Sequence, residues 1–554
     1  MKYKGKKVIV IAFDGCTFDI LLPLIEKGLL PNFKRLIKEG TSGKLRSTVP
    51  PLSHAAWTTF YSGKNPGKHG ILDFFRKDPV TNTYIPINST FLNVETFWER
   101  LSRNGKSVSV LNFFFTYPPK EVNGYIITGR ETPSDEVDYT YPPTLKQEIL
   151  HLEPDFEIIP YVNRVSQTKY FLRKVLVFLK RQKRINSYLL DKYQTDLFMD
   201  YFSMPDIIQH HFWKHMDPSH PLHDKKKSQK YIRLIEKIFQ MLDGIVGERI
   251  ERIDENTLVF IISDHGASGI HKKVYLNRWF MNENLLSLKN DIKQKKKSVL
   301  LKNTISLTRK LDKFLASYDI YGFRRALRVR MRKKRDLHSH QNMIDWSKTK
   351  AYAGRISEHG IYCNLKGREK HGIVSPGEEY EELRNYVISR LLELKDPQTG
   401  QKVFSHVHKR EDIYKGEYVQ YAPDIIFETA DTPYEILDKI SGEDIFYDVE
   451  KHETTGKHHP DGILIVYGKD IKKGSVHGAN ICDLAPTILY SMGEKVPVDI
   501  DGKVLQDIFE DQFIINNPIR YDESIVDRQD SEKKLFGHEE TVEIEQRLKD
   551  LGYL

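Results

Sequence analysis

Four largely apolar runs of the chain lack the in–out alternation of a half-exposed strand: Val8-Ile-Val-Ile-Ala-Phe13, Asp196-Leu-Phe-Met-Asp-Tyr-Phe202, Thr257-Leu-Val-Phe-Ile-Ile262 and Gly462-Ile-Leu-Ile-Val-Tyr467. Runs of that length and composition are strands covered on both faces, as in a parallel sheet. Between them lie helical patterns: Phe18 to Glu39, interrupted at Pro31 and closed by Gly40; Val94 to Arg103; Lys169 to Lys192; and Tyr231 to Ile253. Shorter strands are predicted at Ser107–Leu111, Tyr125–Ile127, Gly360–Leu365 and Asp424–Phe427, and later helices at Glu378–Leu394 and Asp483–Met492. The alternation predicts an α/β fold with a mostly parallel sheet. Residues 267–348 break the rhythm, with few strand signals and a dense basic composition, and read as an inserted, mostly helical cap. The division expected is 1–266 for the first part of the α/β core, 267–348 for the cap, 349–505 for the second part of the core and 506–554 for a polar tail ending in a short helix.

A chain of 554 residues, 39% of them hydrophobic, can bury a large core with insertions. The net charge of +9 is uneven, with much of it between Lys289 and Arg335. Such a block is either a solvated helical face or a contact for an anionic membrane surface. No nucleic-acid-binding motif accompanies it, so no specific nucleic-acid partner is expected. Cys16, Cys363 and Cys482 stand far apart and suggest neither disulfides nor a thiolate metal site. With no leader-like apolar segment at the N-terminus and no run of about 20 apolar residues, a cytoplasmic location is expected.

The chemistry gathers where the predicted strands end. Asp14 follows the first run, Asp206 follows the second, and Asp264-His265 follows the third. Open α/β sheets place their ligands at the carboxyl ends of strands. Asp206 and His210 are four apart, one helical turn, and His458 lies in a Gly456-Lys-His458 segment just before the last run. Carboxylates with imidazoles and no thiolates suit Zn²⁺, Mn²⁺ or Fe²⁺, and two neighbouring ions form a clamp for in-line phosphoryl transfer. Ser53 follows Pro50-Pro51 at the start of an aromatic-rich helix. There its hydroxyl is either a helix cap or a group facing an anion.

The ordered set Phe13-Asp-Gly15, Ser53 with Ser62-Gly-Lys-Asn-Pro-Gly-Lys-His-Gly-Ile71, Asp206-x-x-x-His210, Ser263-Asp-His-Gly266, Gly456-Lys-His458 and Asp483-Leu-Ala-Pro-Thr-Ile-Leu489 resembles the alkaline phosphatase superfamily. Within it, the set is similar to the type I phosphodiesterase/nucleotide pyrophosphatase branch, and closer still to bacterial and archaeal phosphohydrolase/phosphomutase proteins. The resemblance implies a three-layer sandwich and two divalent ions, zinc first, with manganese or iron as alternatives. One ion falls to Asp14, Ser53, Asp264 and His265, and the other to Asp206, His210 and His458. It implies Ser53 as nucleophile, a phospho-seryl intermediate, and a small phosphorylated substrate such as a nucleotide, sugar or lipid phosphate. A hydroxyl acceptor in place of water would make the same site a mutase or transferase. A weakly catalytic protein docked on membrane by its basic cap is the reading of another class. Phe74 stands where diesterase relatives carry an asparagine, and no arginine follows Ser53 as it does in monoester relatives. The sulfatase pattern is absent. Asn112, Lys64 and Arg355, together with Arg130 and Arg278, are the candidates for gripping the substrate anion.

Overall fold

The computed structural model describes residues 5–77, 84–158, 168–289, 343–354, 360–429, 432–451, 453–524 and 533–551. Its main sheet is built from β1 (Lys7–Phe13), β2 (Thr41–Arg46), β3 (Val108–Leu111), β4 (Gly124–Ile127), β5 (Thr140–Tyr141), β6 (Leu197–Phe202), β7 (Thr257–Ile262) and β8 (Asp461–Tyr467). The order across the sheet is β2-β8-β7-β1-β6-β3-β4-β5, and two-residue strands at Gly474–Ser475 and Ala479–Asn480 extend it beside β2. The pairs β1/β6, β1/β7, β3/β6 and β3/β4 are parallel, while β8 runs antiparallel to both β2 and β7. β1, β6 and β7 are buried almost throughout, which is why their sequences are continuous apolar runs.

Helices cover both faces. On one side lie α1 (Phe18–Glu26) and α2 (Pro31–Glu39), with the long helices α4 (Lys169–Tyr193) and α6 (Lys225–Ile250) and the shorter α5 (Met204–Met216). On the other lie α3 (Ser53–Ser62) and the helices Phe97–Arg103 and Leu484–Ser491. Neighbouring residues of β6 show the two faces. Asp200 turns to Arg249 on α6, whereas Tyr201 packs edge-on against Trp57 of α3. The Asp200–Arg249 pair is buried on both sides, with Nε and Nη2 donating at 3.1 and 2.9 Å to Oδ2, and Nη1 donates at 2.9 Å to Ser187.

Of residues 267–348, the structure describes 267–289 and 343–348, which include the strands Gly266–Gly269 and Lys272–Tyr275 and the seven-residue helix Leu276–Asn282; the expected helical cap otherwise lies outside the described residues. The strands after 349 do not rejoin the main sheet. Ala351–Ala353, Gly360–Cys363, Ile425–Glu428 and His406–Lys409 make a separate four-stranded antiparallel sheet. That sheet closes a second hydrophobic cluster around Trp279, Phe280, Tyr352, Val387 and Phe427. Main-sheet pairing resumes only at Asp461, where β8 joins β7 and β2. The basic stretch, apart from Lys289, lies outside the described residues, as does Arg355. Near the end of the chain, Phe509 and Phe513 pack on Tyr490, and Ile544 is buried. Among the described residues, no helix is long and apolar enough to cross a membrane.

Arg249→Met leaves the Asp200 carboxylate buried without its counter-charge, which costs about 3–5 kcal/mol. Urea denaturation should show that loss, and the double variant Asp200→Leu/Arg249→Met should recover part of it. A single variant as stable as the parent would contradict this reading of the core.

Candidate active site

Pro50 and Pro51 keep the helix from starting earlier, Leu52 is extended, and α3 begins at Ser53. Leu52 holds the cap position and makes no side-chain cap bond, so the serine hydroxyl is not used for capping. All of α3 is buried. Ser53 Oγ lies 3.4 Å from Asp14 Oδ1 and 3.0 Å from His265 Nε2.

The strand ends deliver the carboxylates. Asp14 continues β1, its N–H donating to Phe202 O of β6 at 3.0 Å. The next residue, Gly15, has φ +65°, and a Cβ there would sit 3.0 Å from both Cβ and Oδ1 of Asp206. Only glycine lets the two strand ends come this close. Gly15 N–H donates to Asp264 Oδ1 at 3.1 Å, and Gln209 Nε2 donates to Gly15 O at 2.6 Å. Tyr201 donates its hydroxyl proton to Asp14 Oδ2. Asp206 and His210 share one face of α5, with Nε2 of His210 3.2 Å from Asp206 Oδ1.

His458 arrives by strand pairing. Gly266–Gly269 and Gly456–His459 run antiparallel, with Ala267 opposite His458. This register stacks the His265 and His458 rings with centroids 3.8 Å apart. His458 Nε2 lies 3.0 Å from His210 Nε2 and 3.6 Å from Asp206 Oδ1. His459, its neighbour, faces away and accepts from Asp461 N–H at 3.2 Å.

The three histidines share one protonation pattern. Nδ1 of His210 meets Gly456 O at 2.9 Å, Nδ1 of His265 meets Gly266 O at 2.9 Å, and Nδ1 of His458 meets Pro51 O at 2.8 Å. A carbonyl only accepts, so each Nδ1 carries a proton, and Nε2 is the atom each ring turns toward the centre. Nε2 of His210 and Nε2 of His458, 3.0 Å apart with a carboxylate oxygen beside them, need a proton or a metal cation between them. The second cluster, Asp14, Asp264 and His265, brings its ligand atoms within 4.8 Å of one another, and so do Asp206, His265 and His458.

The charge state points the same way. Burial, and then the neighbouring Asp206, push the Asp14 carboxyl above its usual value, and burial followed by Asp14 pushes Asp264 well above it. Burial also acts to raise Asp206, but His210 and His458 outweigh it and hold that carboxyl low. Burial, and then His265, hold His458 well below the ordinary imidazole range.

The other candidates are placed as follows. Lys64 lies beyond the far end of α3, roughly 16 Å from Ser53 at 1.5 Å per residue, and pairs with Asp499. That corrects its expected role at the substrate. Asn112 is buried with φ +65° after β3; its Oδ1 accepts from Gln182 at 3.1 Å and its Nδ2 donates to Thr128 O at 3.4 Å. Arg278 is on the insertion and donates to Glu443 O at 3.2 Å. Arg130 is buried against the Phe114 ring and close enough to Asp14 and His54 to act on both charges. His54 is fully buried among Phe74, Phe114 and Phe115, and burial, then Arg130, keep it neutral. Tyr201 and Gln209, which orient Asp14 and Gly15, are not predicted from the sequence; their signal is only adjacency to the strand end and to His210.

The sequence model of the family described as type I phosphodiesterase / nucleotide pyrophosphatase matches residues 8–461, a span holding every member of both clusters. The chain belongs to the type I phosphodiesterase/nucleotide pyrophosphatase family. No curated protein matches it. Among solved structures, phosphonoacetate hydrolase from Sinorhizobium meliloti 1021 in complex with phosphonoformate is similar at 12% identity and TM-score 0.49, covering 88% of this chain and 95% of that one. Murine ectonucleotide pyrophosphatase / phosphodiesterase 5 is similar at 14% identity and TM-score 0.48, covering 91% of this chain and 100% of that one.

The donor set of this family member fits divalent cations. It offers carboxylates, imidazole nitrogens and a hydroxyl, with no thiolate. Asp264 Oδ2 is a buried acceptor with no hydrogen-bond partner among the described residues, which a cation would satisfy. Protons held on Asp14 and Asp264 in the metal-free protein must leave when a cation enters. Zn²⁺ affinity is therefore expected to rise with pH above 3.8, the ordinary aspartate value. Calorimetry in buffers of different ionisation enthalpy should register the released protons, and an affinity that falls or stays level as pH rises would contradict the assignment.

Proposed function

We propose that the protein hydrolyses a phosphodiester or pyrophosphate bond of a small phosphorylated molecule through a covalent phospho-seryl intermediate. The observation that carries this reading is the Ser53 hydroxyl. It heads a buried helix, is free of capping, and faces Asp14 and His265 at 3.4 and 3.0 Å. Two divalent cations, one among Asp14, Ser53, Asp264 and His265 and one among Asp206, His210 and His458, would lower the pKa of that hydroxyl and neutralise charge on the phosphoryl oxygens.

The chain's own groups set the sequence of events. Ser53 Oγ loses its proton and attacks phosphorus, forming the Oγ–P bond as the bond to the leaving oxygen breaks. Water then attacks the phospho-seryl ester, returning the proton to Oγ and releasing the phosphoryl product. Nδ1 of His265 is committed to Gly266 O, which aims Nε2 at the cation position beside Ser53, so the hydroxyl proton goes to water. Tyr201 and Gln209 hold Asp14 and its turn in place. Arg130 is assigned to the substrate anion, being buried and close to Asp14, whereas Lys64 and Asn112 are committed to other partners. Neutral His54 follows Ser53 where a monoester site has arginine, and this favours a substrate bearing one charge fewer. A cytoplasmic site of action is supported by the free thiols of Cys16, Cys363 and Cys482.

Ser53→Ala should retain metal and lose turnover of a bis(p-nitrophenyl) diester by roughly a thousandfold or more. Acid quenching during turnover should trap phosphate on Ser53 in the parent and none in the variant. Parent-level activity without the hydroxyl would remove the mechanism.

A further inference from the structure

α4 and α6 lie side by side and run in the same direction. Phe171 near the start of α4 stacks on Phe212 of α5, which also touches Tyr231 near the start of α6. Further along, Lys183 pairs with Glu248 at 2.8 Å, and Ser187 accepts from Arg249 at 2.9 Å. The first halves of both helices therefore share one end of this layer, beside α5, the helix that carries Asp206 and His210.

That end is predominantly cationic; Asp224, the cap of α6, pairs with Lys227 at 2.9 Å. α4 contains no Asp or Glu before Asp191, and α6 none before Glu236. Lys169, Arg173, Lys174 and Lys180 of α4 are exposed, as are Lys225, Lys226, Lys230 and Arg233 of α6, and none of them makes an ion pair among the described residues. The cations of the following turns are compensated: Arg181 and Arg184 pair with Glu153, and Lys183 with Glu248.

Apolar groups stand within this charge. Tyr170 and Val177 are 65% and 51% exposed. Their seven-residue spacing puts them on one stripe about 10 Å apart, with Lys174 between them and Arg173 and Lys180 alongside. Lys174 lies over the Tyr170 ring at 5.1 Å. A soluble polyanion would need only the cations. Exposed tyrosine and valine interleaved with lysine and arginine match a bilayer surface, where bases meet headgroups and apolar tips enter the acyl boundary.

We propose that the outer face of α4, with the start of α6, docks the protein on anionic lipid membranes. The surface is separate from the metal centre and does not depend on the assigned reaction.

The test is co-sedimentation of the full chain with phosphatidylcholine vesicles, with and without 30% phosphatidylglycerol. Binding is expected only with the anionic lipid, and it should weaken as salt is raised. The charge variant Arg173→Gln/Lys174→Gln/Lys180→Gln should bind at least roughly tenfold more weakly. Tyr170→Ser/Val177→Ser, which keeps every charge, should also weaken binding. All these positions are exposed, and unchanged thermal unfolding confirms folding. The proposal is overturned by failure to bind anionic vesicles, or by parent-level binding of the charge variant. It is equally overturned if the apolar variant binds vesicles as the parent does while a single-stranded oligonucleotide competes fully, since the face would then serve a soluble polyanion. Binding that survives the α4 changes and vanishes on deletion of residues 290–335 would move the docking element there and overturn it as well.

Discussion

Three backbone carbonyls, those of Pro51, Gly456 and Gly266, each hold the Nδ1 proton of a histidine and so turn three Nε2 atoms toward a common centre. Carboxylates from three separate strand ends meet them there, all buried. Such an arrangement is unfavourable for the polypeptide alone: two imidazole Nε2 atoms face each other at 3.0 Å, and burial, then a neighbouring carboxylate, makes Asp14 and Asp264 resist ionisation. The rest of the structure either creates this concentration of donors or tolerates it.

The sheet creates most of it. β1, β6 and β7 are adjacent and parallel, so Asp14, Asp206 and Asp264 leave the same edge. Gly15 permits the final approach between two of them. The insertion supplies the last histidine: the chain leaves the core through Gly266–Gly269 and returns through Gly456–His459, and pairing of these two segments fixes His458 over His265. A large excursion thus costs the site no accuracy, because its two ends are hydrogen-bonded to each other. α3 completes the cluster by presenting Ser53 from a helix with no exposed residue.

Much of this was legible in the sequence. Buried parallel strands need apolar residues at every position, so β1 and β7 announce themselves, and the aspartate within two residues of each end marks the ligand-bearing edge. β2 did not, because Thr41-Ser-Gly-Lys-Leu-Arg46 lies near the sheet margin, half solvated, and pairs with a strand more than 400 residues away. Which sheet a short apolar strand joins is not legible either: Gly360–Cys363 and β8 are both apolar, and only pairing separates them. Lys64 was misplaced because closeness in sequence to Ser53 ignores the length of the helix between them. Asn112 does reach the right edge of the sheet, but Gln182 and Thr128 take up its side chain, a partnership no local pattern reveals.

The central claim is that these side chains form a pair of cation sites rather than a polar core. It is tested most directly by anomalous X-ray diffraction at the zinc edge on crystals grown with Zn²⁺. Two peaks are predicted, one bounded by Asp14, Ser53, Asp264 and His265 and the other by Asp206, His210 and His458. No peak in either cluster, or zinc bound only elsewhere on the molecule, would contradict the account.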